Sequence, residues 1–476
     1  MAVVKPQSKP PMLLGLIGLI SARLVSPAVS FFLVVLIARI LGQEAMGQYA
    51  TIWVWFTLFL YCALFGLGEF ISKEVGAQPM HASRFLSHGL LIVFITSVTC
   101  LVAMTAGAVL FKYPDAVKHG IMIAGLALPA AACIVVCQAI FIAFQKVKYN
   151  VLAALTENFI FLLSGIVVIV NHYGIITLIW CLLIVKLIAF ALNLHISHKH
   201  VIPLKFKIER DFLKKLIAPV VAFGVTGIAG QVFIRIDVIM LSKMTDMVSV
   251  GLYSSASKLM EICCMLPVTF YVLNLPVAAN GFKNNRKSVH REIETRVRQL
   301  FMLVCLQFGL VFLFAKPILV LIYGEPFAEA DWMLKILMVV FFVINAEIVL
   351  AMLCQAAGYH KTAMHISVGR ALINIALNFI LIPLYGGIGA AIATLFSIIF
   401  SFIIYQYFLK HSIGSIHWLQ IISRPFLACL AIMISLYPLV GRMSVFFLAS
   451  IFLIVYALIF LALNGFSIGR ILRLNS

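Results

Sequence analysis

The sequence predicts an all-α polytopic membrane protein, and three observations carry that prediction. Apolar residues make up 64% of the 476-residue chain and charged residues only 11%, whereas a soluble domain carries about 25% charged residues. Mean hydropathy is +1.13. The apolar residues fall in long runs suited to helices of about 20 residues, not in the roughly 10-residue alternating segments of a closed β-barrel.

Taken in order, the runs place fourteen spans at roughly 12–40, 45–70, 86–111, 119–144, 150–170, 174–196, 213–242, 248–279, 297–322, 332–357, 362–383, 387–409, 418–440 and 444–464. The N-terminus imitates a signal peptide, with Lys5 and Lys9 before MLLGLIGLI. The apolar run continues past Pro27 to Ile40, so an uncleaved first helix is expected. The ten cysteines are scattered through the spans without metal-binding spacing and read as small apolar fillers.

Charge tests the span count independently, because cytoplasmic loops are rich in Lys and Arg. With both termini inside, 22 of the 35 basic residues fall in cytoplasmic segments, 6 outside (Lys112, Lys118, Lys243, Lys316, Lys335, Arg442) and 7 within spans. One missed or invented helix would spoil this asymmetry. The net charge of +19 is then a property of short loops facing anionic headgroups, and nucleic acid is not expected as a partner because no binding domain or aromatic interleaving accompanies the basic clusters.

The longest basic loop, His198–Lys215, divides the chain, and internal repetition supports two halves. A shift of 204 residues lays RILGQEAMGQY (Arg39–Tyr49) on KMTDMVSVGLY (Lys243–Tyr253), and a shift of 212 lays Tyr173-Gly174 on Tyr385-Gly386. The expected organisation is a six-helix lobe at 1–197, a basic linker at 198–215, a second six-helix lobe at 216–410 and two additional helices with a short tail at 411–476.

The segment Gln231–Cys264 places Arg235, Asp237, Lys258 and Glu261 at depths where lipid penalises each charge by about 2.5 to 3.5 kcal/mol. Such residues need a partner or a wet cavity, and an ionisable residue inside a span is by default a functional candidate.

Five stretches together carry a family resemblance: ARILGQEAMGQYA, FGLGEFISKEVG, RIDVIMLSKMTDMVSVGLYSSASKLME, IYGEPFAEADWMLKIL and QAAGYHKTAMHISVGRALINIALNFILIPLYGGIGAAIATLFS. The chain resembles the polysaccharide flippases of the Wzx-type branch, in the multidrug/oligosaccharidyl-lipid/polysaccharide (MOP) exporter superfamily. The resemblance implies two lobes around an alternately opening cavity, a polyprenyl-pyrophosphate-linked oligosaccharide as substrate, a bacterial cytoplasmic membrane, and a polymerase and chain-length regulator as partners. A monomer is the default, since the lobes bury their own interface.

Arginine suits pyrophosphate because its planar fork donates two parallel charge-assisted hydrogen bonds. Substrate-binding candidates are Arg23, Arg39, Arg235, Lys258 and Arg370, with Asn374 and Asn378 completing a stripe spaced four apart on one helical face. Each has a plainer alternative: Arg39 snorkels to the interface, Arg23 bonds carbonyls freed by Pro27, Lys258 pairs with Glu261, Arg235 pairs with Asp237, and the two amides bind helices together. Lys186 and Arg424 are expected as interface anchors.

No phosphate-cradling loop is present, so ATP hydrolysis is not expected, and neither a catalytic residue nor a bound cofactor is assigned. Asp237, Glu157 and Glu347 are candidates for coupling H⁺ or Na⁺ to the cycle, or for neutralising an arginine. Two competing classes remain: a multidrug antiporter of the same fold, which favours an acidic or aromatic cavity, and a membrane polysaccharide polymerase or ligase, which normally carries a larger outward loop than 316–331.

Overall fold

The computed structural model describes residues 27–203, 209–284, 286–414 and 416–473. Among them there is no β-strand, and the only β-type pairing is an isolated bridge between Val440 and Met443. Packing divides the chain between Gly251 and Leu252.

The first unit begins with α1 (27–36), which runs through a π-helical turn at Ile37–Leu41 into α2 (Gly42–Leu64). It continues through α3 (Leu67–Ala77), α4 (Ala82–Leu110), α5 (Asp115–Leu126), α6 (Leu128–Ala143), α7 (Val147–Val170), α8 (Gly174–Ile196) and α9 (Arg210–Met244), and ends inside α10 (Met247–Cys263). Its core gathers Leu67, Ile71, Leu86, Val93, Val136, Ile140 and Phe141 from α3, α4 and α6. Small residues let these helices approach: a Cβ on Gly89 would meet Ile71 at 2.7 Å, the close packing expected where lipid supplies no hydrophobic drive between helices.

Breaks in the helices have local causes. Between α2 and α3, Phe65 (φ 43) and Gly66 (φ 77) turn left-handed, and the Thr96 hydroxyl donates to the freed Ala63 carbonyl at 2.6 Å. Between α5 and α6 the chain bends by 41° just before Pro129, which lacks the N–H that an unbroken helix needs.

The second unit holds the rest of α10, then α11 (Met265–Asn284), α12 (Arg286–Leu313), α13 (Ala315–Tyr323), α14 (Asp331–Ala356), α15 (His360–Ser412), α16 (Trp418–Leu436) and α17 (Val445–Arg473). The last two helices are fastened to α12. Tyr456 donates to the Met302 carbonyl at 2.8 Å, the Cys429 thiol reaches the Cys305 carbonyl at 3.2 Å, and Gly309 leaves room for Cys429 and Phe452.

Among the described residues, nine helices are long and apolar enough to cross a membrane, or ten if α5 and α6 form one bent span. The two longest are His360–Ser412 with 53 residues and Pro27–Leu64 with 38. A straight 53-residue helix would extend about 80 Å against about 30 Å of hydrocarbon. Gly386 (φ 55, ψ −131) breaks it into two arms, where separate spans at 362–383 and 387–409 were expected, and Gly42 (φ 85, ψ −174) interrupts the other.

Candidate functional site

The most concentrated polar group lies in the second unit, where α14 packs against both arms of α15. The first arm presents Arg370, Asn374 and Asn378 at intervals of four. Arg370 Nη1 donates to Glu347 Oε1 of α14 at 2.9 Å, with the two side chains only 13% and 4% exposed. Asn378 donates to Asn374 at 3.1 Å, and Asn374 donates to the Thr394 hydroxyl on the second arm at 3.4 Å. The reversal at Gly386 is what brings Thr394 back alongside Asn374.

Several members of this group were not read from the sequence. Tyr405 is buried and donates to the Ala363 carbonyl at 3.2 Å. Ser397 and Ser401 are fully buried beside Thr394 on the same arm, and their spacing at 394, 397 and 401 is a legible helical face. Asn345, two residues before Glu347 and so toward the opposite side of α14, uses its amide N–H on the Phe341 carbonyl, while its buried Oδ1 has no hydrogen-bond partner.

A second ion pair, part-buried, lies in the first unit, where Lys186 of α8 meets Glu157 of α7 at 2.5 Å with exposures of 16% and 17%. Lys186, expected as an interface anchor, thus pairs with the coupling candidate Glu157, a partner that lowers the cost of either charge away from water. Glu157 and Arg370 each lie ten residues beyond the first residue of their helices, Val147 and His360, about 15 Å along the axis.

The remaining candidates are dispersed. Asp237 is buried on α9, and Arg235 on the same helix is half-buried close to Tyr61 of α2. Lys258 pairs with Glu261 at 3.0 Å, one turn along α10. Arg39 is exposed within the π-helical turn. Arg23 lies outside the described residues.

The 204-residue repeat has a direct structural counterpart. A Cβ on Gly47 would lie 1.8 Å from the Met247 carbonyl oxygen, and a Cβ on Gly251 would lie 2.1 Å from that of Gln43. Residues 43 and 247 are related by the same shift as 47 and 251, so the two close approaches, both within the first unit, are reciprocal. From this crossing α2 runs along α9. Tyr113 links them, accepting from Trp55 Nε1 at 3.2 Å and sharing a 2.9 Å hydrogen bond with Ser242.

Helices long and apolar enough to cross a membrane, with exposed apolar side chains outside and ion pairs and an amide ladder inside, define a multi-pass membrane protein. Residues 13–282, more than half of the chain, match the polysaccharide biosynthesis protein family, and the chain belongs to that family. A relative from Haloferax volcanii, described as the probable low-salt glycan biosynthesis flippase Agl15, is 24% identical over 187 residues, 39% of this chain and 40% of the relative. The match thus spans less than half the length of that relative. Among solved structures, the lipid II flippase MurJ in an inward closed conformation superposes with a TM-score of 0.78 at 15% identity, covering 94% of this chain and 98% of that one. An inward-facing multidrug resistance MATE family transporter of the MOP superfamily gives 0.67 at 15% identity, covering 81% and 95%. At such identities these likenesses establish the fold, which is that of the MOP exporters.

Proposed function

We propose that this protein is a flippase that moves a polyprenyl-pyrophosphate-linked oligosaccharide across the bacterial cytoplasmic membrane for surface polysaccharide synthesis. The observation that carries the proposal is the buried Arg370–Asn374–Asn378 stripe inside a member of the polysaccharide biosynthesis family. The lipid tail of such a substrate is at home in the bilayer, but its anionic, hydroxyl-rich head cannot cross hydrocarbon unaided. Arg370 would hold pyrophosphate, the two amides would hold sugar hydroxyls, and Arg23, Arg39, Arg235 and Lys258 would guide the head along its path. Pyrophosphate taking the Arg370 fork releases Glu347, which then exchanges a proton or sodium ion. Glu157 and Asp237 are the other coupling candidates. The Gly47–Gly251 crossing would close one side in an alternating-access cycle, and its glycines would allow close approach without holding the helices permanently.

The MATE likeness supports the alternative of an organic-cation antiporter through fold alone. Reconstitution in proteoliposomes with a fluorescent polyprenyl-pyrophosphate oligosaccharide separates the two. Transport that is abolished in Arg370→Ala and loses its gradient dependence in Glu347→Gln is expected. Export of organic cations with indifference to the lipid-linked sugar would overturn the proposal.

A further inference from the structure

A pocket of about 780 Å³ opens in the second unit, away from the α14–α15 stripe. It is bounded by the α12–α13 junction, the 3₁₀ turn Glu325–Ala330 with the start of α14, and the turn joining α16 to α17. Its walls are mainly apolar, including Val320, Leu321 and Phe446, while Lys316, Glu325, Asp331 and Lys335 stand around it.

These four charges are unequally used. Lys335 is fixed, pairing with Asp331 Oδ2 at 2.7 Å and lying over the Trp332 ring at 4.8 Å. Asp331 Oδ1 is buried without a hydrogen-bond donor. Lys316 and Glu325 are exposed and make no ion pair among the described residues. What is left is one exposed cation, one exposed carboxylate and a buried Asp331 oxygen that still lacks a donor, beside an apolar wall.

Tyr437 and Phe446 of the lining and Trp332, next to Asp331, are exposed by 72%, 68% and 64%, a grouping that suits the aromatic belt of a membrane–water interface. In the expected topology this grouping faces outward, and Lys316, Lys335 and the adjacent Arg442 are three of the six basic residues on that side. A bare apolar groove at this depth would not require them.

We infer that this pocket holds a zwitterionic phospholipid with a primary ammonium headgroup. Lys316 takes the phosphate, Glu325 and Asp331 Oδ1 take the ammonium N–H groups, and an acyl chain lies against Val320, Leu321 and Phe446. An anionic headgroup would place its net charge near two carboxylates and offer the buried Asp331 oxygen at most a neutral hydroxyl donor, weaker than an ammonium N–H. A quaternary ammonium has no N–H to give them.

Native mass spectrometry of the full chain, loaded in turn with phosphatidylethanolamine, phosphatidylcholine and phosphatidylglycerol of identical acyl chains, tests this. Retention of the ethanolamine lipid about tenfold over the choline lipid is expected, the ratio for one charge-assisted hydrogen bond. Glu325→Gln, at an exposed position that the fold does not depend on, and Asp331→Asn should each reduce that preference. Lys316→Gln should weaken all three lipids together. Equal retention of ethanolamine and choline lipids, a preference for the glycerol lipid, or an ethanolamine preference unchanged by both carboxylate variants would overturn the assignment.

Discussion

Arg370 and Glu347 were legible in the sequence as separate candidates, one for anion binding and one for ion coupling, yet they are partners in a single buried pair. Removing one member leaves the other charge unpaired, which in buried settings costs about 3 to 5 kcal/mol. Arg370→Ala and Glu347→Ala should therefore each lower thermal stability in detergent by several degrees, while Arg370→Met with Glu347→Leu should lose much less than the two singles combined. Additive losses would mean that the pair is not coupled. Asp246 illustrates a different residue effect: its Oδ1 accepts from the Ser249 backbone N–H at 2.7 Å at the start of α10. That bond holds its carboxyl below the ordinary carboxylate value. The resulting stabilisation is present above the unfolded carboxyl pKa and lost as pH falls through the lower folded value, so acid below about pH 4 weakens the cap. Asp246→Ala should cost about 1 kcal/mol at neutral pH, a difference that shrinks in acid melts.

At the scale of elements, glycines serve in two physically distinct ways. Gly386 has a backbone conformation closed to L side chains but nothing within 4 Å of an added Cβ. Gly386→Ala should thus destabilise by backbone strain alone, about 1 to 3 kcal/mol in melting experiments, and a neighbouring small-to-large change should not rescue it. Gly47 and Gly251 have no positive φ but no room, since any side chain meets carbonyl oxygen. Gly47→Leu should separate the crossing, so that a cysteine placed at Met247 in a cysteine-free background becomes more reactive to a water-soluble maleimide. Unchanged reactivity would mean that the crossing does not open. The sequence revealed both sites through its repeats: Tyr173-Gly174 matched Tyr385-Gly386 because both glycines sit at positive φ between antiparallel segments, and Gly-x-Tyr matched at 47 and 251 because each glycine fits against the other's helix. It did not reveal the α7–α8 partnership of Glu157 and Lys186, which are 29 residues apart and meet only through interhelical packing.

At the scale of the molecule, the charge asymmetry predicts fourteen crossings with both termini on the cytoplasmic side. Single cysteines at Lys148, Lys361 and Lys410 should label only from inside, and those at Tyr113, Lys316 and Arg442 only from outside. Labelling of any one from the opposite side would change the count. By length and composition the described residues hold nine spans, or ten with α5 and α6 taken as one, and two of these continue across the breaks at Gly42 and Gly386; the labelling pattern decides between that count and fourteen.

Composition and hydrophobic run length by themselves determined the all-helical membrane class, because a bilayer leaves few ways to satisfy a buried backbone. Periodicity within one helix likewise determined the Arg370, Asn374 and Asn378 face. Tertiary structure alone decided which charges neutralise which, how Thr394 returns beside Asn374, and where an apolar wall meets Lys316 and Glu325. Those relations depend on side chains from different helices, and the distance between them is set by packing and by a few glycine breaks, not by any local pattern.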